Sequence, residues 1–237
     1  MGGRPDTPRW GLGDAAAGFF VGLVLSSAVA AAFLPDAPGE TDISLTGQAL
    51  SQIGLWTGLV GAAVLASRRK GTGRLAADFG LRARPVDVPV GMLAGALGQL
   101  VLVPLVAFLL RPLLGEPEVS GPVQDLVDSA TGSAVIGLFV FVVLGAAVVE
   151  ELFFRGLVMG ALRRRMGAVA AVVITGVVFG IAHPQDLPAD ALALVMISLA
   201  ALGMMWGALV VRTGRLGPAI VAHATFNAWT LTVLLTR

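Results

Sequence analysis

AVIGLFVFVVLGAAVV, residues 134–149, carries no charged or strongly polar side chain, and the chain continues directly into EELFFRG, residues 150–156. Crossing the roughly 30 Å of a bilayer's hydrocarbon takes about 20 consecutive apolar residues in a helix. A helix also satisfies its own backbone polar groups, which lipid cannot do for it. This stretch therefore fixes the class as an all-α, polytopic transmembrane bundle. It also poses a question. A segment this apolar ends on Glu150, Glu151 and Arg155, three side chains that are costly to hold in lipid.

The rest of the chain agrees with that class. Of 237 residues, 56% are hydrophobic and only 13% charged, with a mean hydropathy of +0.87; soluble domains run near 45–50% and about 25%. A net charge of +1 without a basic domain gives no reason to expect nucleic acid as a partner. Cysteine is absent, which excludes disulfides, thiolate metal sites and a cysteine nucleophile. The only histidines are His183 and His223.

Seven apolar stretches are long enough, or nearly so, to span: about 14–34, 47–66, 88–110, 133–155, 167–183, 189–211 and 216–235. The fifth is short. Arg4 and Arg9 followed by AVAAA (28–32) imitate a signal peptide, but the apolar stretch exceeds a usual signal core and reads as an uncleaved first helix. Thirteen of the sixteen Lys and Arg residues fall in alternate connections: Arg4 and Arg9; 68–84; 163–165; Arg212 and Arg215. The intervening connections are acidic, with Asp36, Glu40, Asp42, Glu116, Glu118, Asp125, Asp128, Asp186 and Asp190. Basic loops mark the cytoplasmic side, so the expectation is a multi-pass cell-membrane protein with its N-terminus inside and C-terminus outside. LAADFGLRARPVDV (75–88) is too polar to span and reads as an interfacial piece, which allows an eighth helix. The expected division is an N-terminal two-helix region, 1–74, and a core, 75–237.

With loops set aside, the in-membrane ionisable residues are Glu150, Glu151, Arg155, His183 and His223, with Asn227 beside them. Such residues face a cavity or one another and mark function by default. Glu151 and Arg155 are four apart, one above the other on a helix, with the acid first. Pairing is close to compulsory in low dielectric. Glu150 lies about 100° round the helix and is free to point into the bundle. His223 and Asn227 are again four apart, and His183 closes FGIAH (179–183) one turn after Phe179. One carboxylate and two imidazoles can polarise a water and stabilise an oxyanion. They are also a donor set for one divalent metal, zinc before others, with an open position. Taken singly, each residue could be structural: a hydrogen-bonded packing histidine, a protonated carboxyl, a brace. Depth is an obstacle. Counted from the nearest cytoplasmic arginines at about 1.5 Å per residue, Glu150, His183 and His223 reach different levels. A shared site requires the fourth helix to extend beyond the membrane, or the helices to start at different levels.

EELFFRG (150–156), FGIAH (179–183) and HATFN (223–227) resemble the three signatures of the CPBP intramembrane proteases, the CAAX-prenyl-protease-2 and bacteriocin-processing group also called Abi: EExxxR, FxxxH, and HxxxN or HxxxD. The likeness covers about residues 75–235, and FGLR (79–82) is similar to a short element often found upstream. The resemblance implies an intramembrane endopeptidase acting on membrane-associated or lipid-modified proteins. It implies that Glu150 activates water, that His183 positions that water or binds metal, and that His223 and Asn227 stabilise the oxyanion. Glu151, Arg155 and Phe179 would support the site. Both a zinc mechanism and a metal-free glutamate mechanism are compatible with it. HExxH is absent, so zincin geometry does not apply.

Two other classes compete. A proton or metal relay transporter would favour matching, Gly/Pro-broken helices in two halves, whereas the polar residues here crowd one half. A non-catalytic bacteriocin-immunity or partner-binding protein has little reason to keep unpaired ionisable groups in lipid.

Overall fold

The computed structural model describes residues 9–34 and 44–236 and is all-helical there. Arg4, Asp36, Glu40 and Asp42, part of the alternation of loop charge, lie outside the described residues. Six helices are long and apolar enough to span: α1 (Leu12–Ala32), α2 (Leu45–Lys70), α3 (Asp87–Leu114), α4 (Ser133–Met166), α6 (Ala189–Thr213) and α7 (Gly217–Leu235). Between them α5 (Ala168–Ile181) is apolar but only 14 residues long. Six of the seven expected spans are present at spanning length, and the fifth stretch forms a helix shorter than a span. Large apolar side chains such as Phe20, Phe108, Leu113 and Val169 are two-thirds exposed or more, as a lipid-facing surface requires.

Helices in lipid gain nothing from hiding apolar surface from one another, so close packing over small residues carries association. Gly18 and Gly22 of α1 meet Gly58 and Leu55 of α2; a Cβ at Gly22 would stand 2.6 Å from Leu55 O. Gly91 and Gly95 of α3 rest on Val221, Ala222 and Thr225 of α7. Gly176 and Gly180 of α5 rest on Met196, Ala200 and Met204 of α6.

At one end of the bundle the basic connections are tied together. Arg9 N donates to Lys70 O at 2.8 Å, and Lys70 pairs with Asp14 at 2.6 Å. Arg164 donates to Trp10 O and stacks on the Trp10 ring, 3.8 Å from its centroid. Residues 75–88 form a short helix, Leu75–Asp78, and then a strap across the α6–α7 connection. Leu216 N donates to Gly80 O at 2.8 Å and Gly217 N to Arg82 O at 3.0 Å. Gly80 adopts φ +71°, a conformation open to glycine without strain. Asp87, 1% exposed, receives Arg215 Nε at 2.8–2.9 Å and Arg84 N at 2.8 Å. At the opposite end a short helix, Gly121–Asp128, seats Val127 on Leu138, Leu231 and Leu234.

α4 positions the site. It runs 34 residues without interruption, about 51 Å at 1.5 Å per residue. Two stretches, Val140–Ala146 and Glu151–Val158, carry π-type hydrogen bonding. Such widened turns free a backbone carbonyl and rotate the helix beyond them. Here Asn227 Nδ2 donates to Val142 O at 2.9 Å.

Candidate active site

Glu150 and Glu151 sit where the α-turn 147–150 gives way to the second widened stretch, and the change of phase sends the two carboxylates to different neighbours. Glu151 is fully buried; its Oε1 faces Arg155 Nη1 at 2.9 Å and accepts from His223 Nδ1 at 3.1 Å. The Arg155 guanidinium lies over the Phe179 ring at 4.2 Å and faces Trp206 at 5.5 Å. The charge is thus held between one carboxylate and two aromatic faces, a cation–π arrangement that gains from desolvation.

Glu150 turns away from that pair. Its Oε2 lies 3.3 Å from His183 Nε2 and 4.0 Å from His223 Nε2. It is buried and makes no aligned hydrogen bond to any described residue. Both imidazoles are oriented from behind. His183 Nδ1 donates to Phe179 O at 2.6 Å, one turn back. A carbonyl can only accept, so Nδ1 carries a proton and Nε2 is the nitrogen turned toward Glu150. His223 is set the same way, with Nδ1 toward Glu151 and its ring stacked on Trp206, centroids 4.6 Å apart at 21°. Two imidazole nitrogens and one carboxylate oxygen thus face one another across 3.3 and 4.0 Å, close enough to share a proton or a water.

Two features of the helices bring these residues together. α4 continues to Met166, well past Glu150. α7 begins beneath the strap, with Leu216, Gly217, Pro218 and Ala219 all buried. Glu150, Glu151, Arg155, Phe179, His183 and His223 converge; Phe179 touches both imidazoles, at centroid distances of 4.5 and 5.9 Å. Asn227 sits one turn beyond His223 with one amide N–H on Val142 O. Trp206 and Trp56 were not singled out by sequence. A tryptophan within a span reads as an interfacial anchor, and only the placement of Trp206 within a GxxWG stretch (203–207) hinted at close helix contact.

A cavity of about 270 Å³ leads to Glu150 between α2 and the first half of α4, lined by Gln48, Gln52, Trp56, Phe141, Val142 and Glu150 among others. Catalytic zinc needs donors about 2.0–2.2 Å from one point. Among the described residues no group of three or more His, Cys, Asp or Glu is already gathered around one point.

Residues 132–229 match a family model described as Type II CAAX prenyl endopeptidase Rce1-like. The likeness to that family is confined to this segment. It opens one residue before α4, ends within α7, and contains every residue of the cluster. The Rce1-like match supports a CAAX-protease-type intramembrane endopeptidase in general terms and a multi-pass membrane location. No curated protein and no solved structure matches the chain. α1, α2 and α3 lie outside the Rce1-like segment.

Proposed function

We propose that this protein is a glutamate-dependent intramembrane endopeptidase whose substrates are membrane-associated or lipid-modified proteins. One observation carries the reading: a buried carboxylate oxygen, Glu150 Oε2, without an aligned partner, faces two back-oriented imidazoles at the head of a cavity. A water held between Glu150 and His183 loses a proton to Glu150 as its oxygen attacks the scissile carbonyl. The new C–O bond turns the carbonyl oxygen into an oxyanion. His223, protonated on Nε2 as well with Glu151 balancing its charge, and the second amide N–H of Asn227 are the donors for that oxyanion. The proton taken by Glu150 then passes to the departing amine as the C–N bond breaks. Glu151 and Arg155 hold His223 in register, and Phe179 holds His183. No step of this scheme passes through a metal.

The test is cleavage of lipid-anchored and single-span peptides in liposomes, comparing wild type with Glu150→Gln, with and without chelator. General-base catalysis contributes about 10²–10⁴-fold, so Glu150→Gln loses at least that much while melting as wild type. Chelator leaves the rate unchanged. Full cleavage by Glu150→Gln overturns the proposal. Loss under chelator, restored by zinc, replaces the water-only scheme with a metal bound by Glu150, His183 and His223.

A further inference from the structure

At the basic end of the bundle, away from Glu150, lies a second cavity of about 350 Å³. Arg82, Ala83 and Arg84 of the strap line one side of it, and Thr213, Gly214 and Arg215 of the α6–α7 connection line the other. Three of these six residues are arginines and none is acidic. The two sides are tied by backbone, Leu216 N to Gly80 O at 2.8 Å and Gly217 N to Arg82 O at 3.0 Å, so the cavity is already formed. Arg215 is a fixed wall: its Nε donates to Asp87 at 2.8–2.9 Å and its Nη1 to Thr213 O at 3.3 Å. Asp87 thereby answers one of the three charges. Arg82 and Arg84 are exposed, and neither guanidinium makes an ion pair or hydrogen bond with any described residue. Two like charges held two residues apart are relieved by a shared anion, and the planar fork of arginine suits phosphate oxygens.

The position of the cavity says which phosphate. α3 starts at Asp87 and α6 ends at Thr213, so the lining lies where two spans leave the apolar layer. Val86, Val88 and Val90 follow Arg84 almost directly and are 39–53% exposed, as side chains against acyl chains are. A phosphate on Arg82 and Arg84 therefore stands at headgroup level, a few residues from lipid-facing surface. The volume is far above the ~30 Å³ of one water and admits a phosphoglycerol group. The lining offers no aromatic ring on which a nucleotide base would stack. Basic pockets beside spanning helices are where anionic headgroups bind.

We infer that this cavity binds the phosphate headgroup of an anionic phospholipid, with Arg82 and Arg84 carrying the charge and Arg215 fixed beside them. The site owes nothing to the endopeptidase reading. A lipid clamped between strap and connection also holds the junction on which the start of α7 rests.

The test is titration of the purified chain in neutral detergent with phosphatidylglycerol or phosphatidylcholine, counting bound lipid by native mass spectrometry. Arg82→Gln with Arg84→Gln removes two exposed charges from the cavity. Arg68→Gln with Arg69→Gln removes two exposed charges from the same end of the bundle, outside the cavity. Each arginine beside an anionic headgroup contributes about five-fold, so the cavity variant binds its tightest phosphatidylglycerol roughly 25-fold more weakly. The Arg68/Arg69 variant binds as wild type, and phosphatidylcholine is held by none. Arg82→Lys with Arg84→Lys, which keeps the charge, retains most of the affinity. Without lipid the variants melt as wild type; phosphatidylglycerol raises the Tm of wild type and of the Arg68/Arg69 variant but not of the cavity variant, which separates loss of the site from loss of the fold. Equal losses in both glutamine variants reduce the effect to diffuse attraction and overturn the site. Wild-type binding by the cavity variant, equal uptake of phosphatidylcholine, or no uptake of phosphatidylglycerol by wild type also overturns it. Displacement of the lipid by an equal concentration of inorganic phosphate makes the cavity a free-phosphate site and overturns the lipid assignment.

Discussion

At the scale of residues, burial makes Glu151 and Arg155 interdependent. Each is nearly inaccessible, and Glu151 faces Arg155 at 2.9 Å. Removing one partner of a buried pair costs about 3–5 kcal/mol because the other charge remains. Glu151→Gln and Arg155→Met should each lower Tm in detergent by about 10 °C. The double variant should recover part of that loss, because no lone charge remains; a double variant as unstable as the sum of the singles would refute the coupling. Glu150, His183 and His223 were legible in the sequence because lipid makes ionisable groups expensive and therefore conspicuous. Trp56 and Trp206 were not, since an aromatic ring in a span costs nothing until its indole N–H is seen to lack a partner. The differing surroundings of the two glutamates were legible from the 100° step between adjacent helical residues, while the stacking of Arg155 on Phe179 was not.

At the scale of elements, the widened turns of α4 set the phase between its two halves. Val140–Ala146 opens the carbonyl that Asn227 fills. Deleting Val143 should return that stretch to ordinary α-helix and rotate residues 133–142 by about 100° relative to Glu150. The expected outcome is a folded protein, by circular dichroism and size exclusion, with cleavage reduced at least about tenfold. Glycine contacts give a second prediction. Gly58 lies directly against Gly18 and Gly22, so Gly58→Leu should force α1 from α2 and abolish the monodisperse detergent-solubilised species. Gly61→Leu, one turn on with open space around it, should behave as wild type. The positions of the spans were legible because hydropathy reports length. The bends within α3 and α4 were not, because a widened turn leaves the apolar composition unchanged. Pro104 in α3, two residues after the turn Gly98–Leu102, is the one hint in the sequence, since proline cannot supply the N–H that an unbroken α-helix needs.

At the scale of the molecule, the basic loops are one assembly rather than four separate tails. The Asp87–Arg215 pair joins the start of α3 to the connection between α6 and α7, 128 residues away in the chain. Asp87→Ala should destabilise the fold by about 3 kcal/mol, read as a lower Tm, and the charge-exchanged pair Asp87→Arg with Arg215→Asp should restore part of it. Alternation of basic and acidic loops made the number of spans readable. It could not reveal that residues 79–84 cap the α6–α7 connection, because that contact is made by backbone groups at Gly80 and Arg82 and leaves no mark in composition. That cap buries the start of α7, from which His223 reaches Glu150.

The brevity of α5 has a consequence for the surrounding lipid. Fourteen residues extend about 21 Å, roughly 9 Å less than typical hydrocarbon thickness. Lipid beside α5 must shorten or water must descend to meet His183, and the cost of that mismatch grows with each ångström. A bilayer thinned beside α5 is the expected result, and it would bring water to His183, where the proposed hydrolysis needs it. Bilayer thickness becomes a control on turnover, fastest in short-chain phosphatidylcholine and falling steadily as the acyl chains lengthen at constant fluidity.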